Sequence, residues 1–126
     1  MPGYDAVYVS NHGGRQVDGQ PSPFEVCQEI YHEDPTLFSR IDIWADGGVR
    51  YGGDALKFLA LGVKMVGVGR GFAYPNVYGA PGVDQAMRQL QDELFNDAAA
   101  VGVEDFKSIP QSILNFNYGY PRYRFA

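Results

Sequence analysis

This chain of 126 residues holds a single cysteine, a single tryptophan and two histidines. The lone Cys27 excludes an internal disulfide and is compatible with a reducing compartment. It falls in an expected helix and reads as a small core residue rather than a nucleophile. No Cys/His cluster has metal-ligand spacing, which argues against a metal site. Basic residues are also scarce. Ten Lys and Arg against 15 Asp and Glu leave a net charge of −5, so no basic surface points to nucleic acid or an anionic membrane. No apolar run is long enough to span a bilayer, and residues 1–5 carry no basic leader or signal-like apolar segment. A G-x-S-x-G elbow is missing, and Gly67-Val-Gly-Arg-Gly71 lacks the spacing of a dinucleotide-binding turn.

What remains is an ordinary globular composition, 45% hydrophobic and 20% charged, with room for one domain. Residues 5–9 form a continuous apolar run after Asp5, which suits a parallel strand buried on both faces. Pro23 suits the first turn of a helix capped by Ser22. Phe24, Cys27 and Ile30 give that helix an apolar face, and Asp34-Pro35 ends it. Residues 41–45 read as a second strand. Residues 52–61 read as a helix with Leu56, Leu59 and Ala60 inward, stopped by Gly62. Residues 64–68 read as a third strand, and residues 72–82 as a loop. Residues 83–101 read as the longest helix, with Val83, Met87, Leu90, Leu94 and Ala98 as its buried stripe. From Phe106 on, the chain reads as a solvated or loosely docked surface tail. The division expected is residues 1–105 as a partial domain and residues 106–126 as a C-terminal tail. Strand, Gly-rich loop and helix thus recur three times, which implies right-handed βαβ units and a parallel sheet.

The ionic and glycine residues gather after each strand, where parallel α/β folds place ligands. The first such loop is Ser10-Asn-His-Gly-Gly-Arg-Gln16. His12 can take a proton near neutral pH, and Arg15 can hold a carboxylate or phosphate with paired donors. The second and third are Asp46-Gly-Gly-Val-Arg50 and Gly67-Val-Gly-Arg70. There the N–H groups of Gly47, Gly48 and Gly69 and the side chains of Arg50 and Arg70 read as a phosphate cradle. Two such loops after successive strands fit the phosphate site of a (β/α)8 barrel. Asp46 reads either as an exposed turn acid or as a group that orients an arginine. His32, near a helix end, reads as solvated or favoured by the helix dipole.

These three motifs, in this order and spacing, resemble the C-terminal signature of the FMN-dependent α-hydroxy acid dehydrogenases and oxidases. Glycolate oxidase, lactate oxidase and the flavocytochrome L-lactate dehydrogenases belong to that family. The resemblance covers residues 5–102, and residues 78–83 with the acidic helix after them are most similar to the flavocytochrome branch. It implies an α/β fold, the last three βα units of a (β/α)8 TIM barrel. It implies FMN as cofactor and oxidation of a small L-2-hydroxy acid to a 2-oxo acid. By resemblance His12 is the active-site base and Arg15 the partner of the substrate carboxylate. Ser10 lies near the flavin ring. Asp46, Gly47, Gly48, Val49, Arg50, Gly69 and Arg70 hold the ribityl-phosphate end.

The family's first five strands are missing from the sequence. With them go its substrate-contacting tyrosines, a lysine near the flavin and the aspartate partner of the histidine. A barrel packed by eight strands does not close with three. The expectation is therefore a truncated product or part of a longer chain, inactive alone. A module that binds FMN or phosphate without turnover, or completes a barrel with a partner, is the alternative. Full-length relatives imply a homo-oligomer in mitochondria, cytoplasm or peroxisomes. The electron acceptor is not readable. Another phosphate-binding barrel is a third reading, against which the His/Arg pair of the first loop argues.

Overall fold

The computed structural model describes residues 3–116. They form a three-stranded parallel sheet, helices packed against it, and a C-terminal segment. Strand β1 is Ala6–Val9, β2 is Asp42–Ala45 and β3 is Met65–Val66. Helix α1 is Pro23–Glu33, α2 is Leu37–Arg40 and α3 is Gly52–Leu61. A short α4, Arg70–Ala73, precedes the long α5, Ala80–Ala100.

Local signals explain the helix ends. The Ser22 hydroxyl accepts from Glu25 N–H while the Glu25 carboxylate accepts from Ser22 N–H at 2.7 Å, a reciprocal cap with Pro23 at the first position. Gly62 closes α3 in the left-handed region at φ +106°, a conformation that costs other residues free energy.

The strands lie in chain order β1-β2-β3, and register places Val9, Ala45 and Val66 side by side. Side chains alternate along a strand, so this row shares a face with Ile43. Ile43 and Ala45 are fully buried there among Cys27, Phe38, Ala55, Phe58 and Leu61 from α1, α2 and α3. The next row, Tyr8-Trp44-Met65, points to the other face. Tyr8 is 52% and Met65 53% exposed. Chain-order strands with helices on one face match neighbouring units of a barrel wall. A doubly wound sheet covers both faces.

The strand reading therefore needs correction. β1 is not buried on both faces: among the described residues no second layer covers its Tyr8 side, and Val7 on the helix side is exposed as well. β3 is also shorter than residues 64–68, although Lys64 N–H to Ile43 and Gly67 N–H to Ala45 continue its ladder at 2.7 and 2.8 Å. Residues 72–82 are not an open loop. Most of them are helical, with a 3-10 turn at Pro75–Tyr78 and α5 starting at Ala80 with Pro81 in its first turn.

In α5 only Ala98 is buried, and Met87 is exposed. The reason is where α3 meets it. A Cβ on Gly52 would stand 2.1 Å from the Leu94 nitrogen, so the two backbones touch there. The Met87 end lies beyond that crossing. Of the two forms expected for the tail, the docked one is found as far as Phe116. Phe106, Ile109 and Ile113 pack on Leu56, Ala98 and Val103, while Leu114 and Phe116 pack on the main core. The remainder of that expected tail lies outside the described residues. None of the described helices is long and apolar enough to cross a membrane.

Candidate functional site

Register carries the three signature loops to one edge of the sheet. Each begins where its strand ends, at Ser10, Asp46 and Gly67. His12 opens a 3-10 turn, His12–Gly14, with φ +53°. Among the described residues it is the only non-glycine with positive φ. That conformation costs an L-residue about 1–2 kcal/mol, so the surroundings must hold it.

They do so through hydrogen bonds. The His12 N–H donates to Ser10 Oγ at 3.1 Å. Gly14 N–H donates to Asn11 Oδ1 at 3.1 Å, and Gln20 Nε2 donates to the Asn11 carbonyl at 3.0 Å. Arg70 Nη2 reaches across from the third loop and donates to the Gly13 carbonyl at 2.8 Å. Gly13 has φ +67°, and a Cβ there would stand 2.8 Å from Arg70 Nη2. Gly47, at φ +92°, lies against Pro23 and Asn11, where a Cβ would meet them at 2.9 and 3.0 Å. Glycine thus suits both positions for backbone shape, and at Gly47 also for room beside the Pro23 ring.

Asp46 differs from both of its expected roles. It is half-buried, and among the described residues it orients no arginine. Its Oδ1 accepts from the Ser10 hydroxyl at 2.6 Å, and its Oδ2 accepts from the Tyr8 hydroxyl at 3.2 Å. Desolvation and then the Asp46 carboxylate push the Tyr8 phenol above its ordinary pKa. Tyr8 was missed in the sequence. The available signal was its spacing of two from Ser10, which puts both side chains on one face of a strand.

The second and third loops present open donors. The N–H groups of Gly47, Gly48 and Gly69 donate to no acceptor among the described residues. A Cβ on Gly48 or Gly69 would meet nothing within 4 Å, so space stands open above both. Val49 is buried and anchors its loop in the core. The Arg50 and Tyr51 N–H groups both donate to Asp54 Oδ2 at 3.1 Å, which closes that loop onto α3. Among the described residues, the His12 imidazole and the Arg15 and Arg50 guanidinium groups have no hydrogen-bonding or ionic partner. His12, Arg15 and Arg50 are exposed. The arrangement supplies an uncommitted base, two uncommitted cations and a set of backbone donors along one edge.

Cys27 and His32, both on α1, lie away from this edge. Cys27 is fully buried, and burial pushes its thiol up to about 11, the reverse of an activated nucleophile. His32 is exposed and stacks edge-on with Phe116 at 5.6 Å. A cleft of about 450 Å3 opens between α1 and α3, lined by Phe24, Gln28, Lys57 and Leu114 and bordered by Gly47 and Gly48. No group of His, Cys, Asp and Glu among the described residues could hold a metal ion.

Comparison with known proteins assigns the family. The model of the FMN-dependent dehydrogenases matches residues 2–116. The chain belongs to that family. It is 40% identical over 118 residues to the cytochrome-type L-lactate dehydrogenase of Saccharomyces cerevisiae, covering 91% of this chain and 20% of the relative. It is 37% identical to 2-hydroxyacid oxidase 1 of Mus musculus, covering 91% of this chain and 30% of the relative. A flavocytochrome b2 variant with pyruvate bound superposes with TM-score 0.82 at 39% identity, over 90% of this chain and 30% of that one. A mandelate oxidase variant with an FMN adduct gives TM-score 0.75 at 33% identity, over 85% and 33%. The chain thus spans a fifth to a third of the length of these proteins. FMN is the cofactor of this family, and the free N–H groups, the open space at Gly48 and Gly69 and the uncommitted Arg50 fit its phosphate-bearing end.

Proposed function

We propose that this chain is the part of an FMN-dependent oxidoreductase that carries the sixth, seventh and eighth βα units of its barrel. The reaction is oxidation of a small, lactate-like L-2-hydroxy acid to the 2-oxo acid. The observation that carries this reading is the convergence of the His12 loop and both Gly/Arg loops on one edge of a parallel sheet. His12, neutral at the start, takes a proton from the substrate at a ring nitrogen. Arg15 pairs with the substrate carboxylate through its two-pronged donor set. Ser10 would lie toward the ring side of the cofactor, and Asp46, Gly47, Gly48, Val49, Arg50, Gly69 and Arg70 would hold its ribityl-phosphate end. Bound FMN supplies the two-electron acceptor, while the protein supplies orientation and charge.

The test is stepwise. Purified chain mixed with FMN should quench flavin fluorescence. The chain combined with a polypeptide carrying the first five βα units should then allow anaerobic bleaching of the flavin by L-lactate or glycolate. Bleaching that survives loss of the His12 imidazole would overturn the assignment of the base.

A second reading has its own support. The half-exposed Tyr8 and Met65, with Trp44 only partly buried between them, and the two open edges of the sheet favour a non-catalytic module that holds FMN or phosphate, or completes a barrel with a partner. Quenching without any substrate-dependent bleaching in the completed barrel would select it.

A further inference from the structure

The strongest feature outside these assignments is the chain of contacts from Tyr8 to the His12 backbone. Tyr8 and Ser10 stand two residues apart, on one face at the end of β1. Register continued one step beyond Val9 and Ala45 brings Ser10 beside Asp46. Each Asp46 carboxylate oxygen accepts one of the two hydroxyl protons. A hydroxyl has one proton to give and two lone pairs to receive. With its proton committed to Asp46, the Ser10 oxygen is left as an acceptor, and it takes the His12 N–H at 3.1 Å. The third strand leaves room for this. A Cβ on Gly67 would stand 2.5 Å from the Tyr8 hydroxyl oxygen and 3.0 Å from Asp46 Cβ. All three strand ends therefore shape one contact chain, and it terminates on the residue with the strained backbone.

We propose that Tyr8 and Asp46 are positioning residues for His12, acting through the Ser10 hydroxyl to hold its left-handed turn and so the direction of its imidazole. The importance of that direction rests on the reading of His12 as the base. The contact chain itself does not.

The experiment uses the full chain, labelled with nitrogen-15, and reads solvent exchange of the His12 amide by NMR. FMN affinity is measured in parallel by fluorescence quenching. Ser10→Ala should speed His12 exchange about tenfold, Asp46→Asn about threefold to tenfold, and Tyr8→Phe about twofold, the range expected for loss of one net hydrogen bond. Ser10→Thr, which keeps the hydroxyl, should restore protection. Amides of Ala45 and Leu61 should not change.

A His12 amide unmoved by both Asp46→Asn and Tyr8→Phe overturns the proposal. So does a change confined to FMN affinity, which would make Asp46 a cofactor contact only. If Asp46→Asn disrupts the core amides, Tyr8→Phe decides alone, since it removes one oxygen from a half-exposed side chain. If the unmodified chain binds no FMN while the His12 amide responds as expected, the FMN reading of this chain fails and the positioning role stands.

Discussion

The two faces of the sheet are built from the same three short strands and behave as different materials. On the helix side, Ile43 and Ala45 are fully buried and α3 presses its backbone onto α5. On the other side, Tyr8 and Met65 are about half exposed, and the loops above them hold strained or left-handed residues and uncommitted charges. The covered face carries stability. The strained turn and the uncommitted charges gather at the strand ends, at some cost to that stability. A variant on one side should therefore leave the property of the other side untouched.

The largest effect expected is on the functional side. In a completed barrel, His12→Ala should lower turnover by about 10²–10⁴-fold, while the melting curve of the chain keeps its midpoint. Steady-state rates and thermal circular dichroism on the same samples check both halves. A parallel loss of structure would show that the strand ends also carry the fold.

Gly52→Ala is the counterpart on the covered side. Helix propensity alone would favour alanine by about 1 kcal/mol. The added Cβ would stand 2.1 Å from the Leu94 nitrogen, a backbone atom that cannot swing away, and Gly52 N–H also donates to Glu93 at 3.0 Å. Overpacking wins, and a net loss of about 3 kcal/mol is expected from urea unfolding.

That contact also marks the limit of what the sequence discloses. Ser22-Pro23, Gly62 and the strand-loop-helix repeat are local signals, and each corresponds to an observed element. The edge position of His12, Arg15, Gly47, Gly48 and Arg70 follows from the same repeat. The docking of Phe106 to Phe116, the exposure of Met87 and the Tyr8-Asp46 contact depend on which element crosses which, and periodicity carries no such information. Arg70 shows the boundary within one residue. Its loop is readable, but its bond to the Gly13 carbonyl, 57 residues away, is not.

Cys27 gives a pH test of the covered face. Its thiol is held up to about 11 in the folded chain, from an ordinary value of 9.0. The unfolded thiol therefore loses its proton first as pH rises. Its contribution to stability is full below about 9 and is lost between about 9 and 11. The span corresponds to at most about 3 kcal/mol. Urea unfolding at stepped pH should show this decline, and Cys27→Ala should flatten it. A thiol reagent at neutral pH should label Cys27 only as fast as the fold opens.

Gly13→Ala tests the strand ends more gently. The new methyl meets only the tip of Arg70, which can move, so the principal cost is the φ of +67°. A loss of about 1–2 kcal/mol is expected. The His12–Gly14 turn should show it as faster exchange of the Gly14 amide, with the helix layer unchanged.

The smallest effect is the one that sharpens the comparison most. Met65 lies in register with Trp44 and Tyr8 on the bare face, 53% exposed. Met65→Gln swaps a side chain of similar length for a polar one. If that face meets water in the chain alone, stability should change by no more than about 0.5 kcal/mol. In a barrel completed by five further units the same position faces a packed interior. There an amide without partners should cost about 1–3 kcal/mol. Paired unfolding measurements on the chain alone and on the assembled barrel give the two numbers. A large loss in the chain alone would mean that the bare face is covered in solution. A small loss in both would mean that this row does not line the barrel interior, which removes the three-unit reading of the chain.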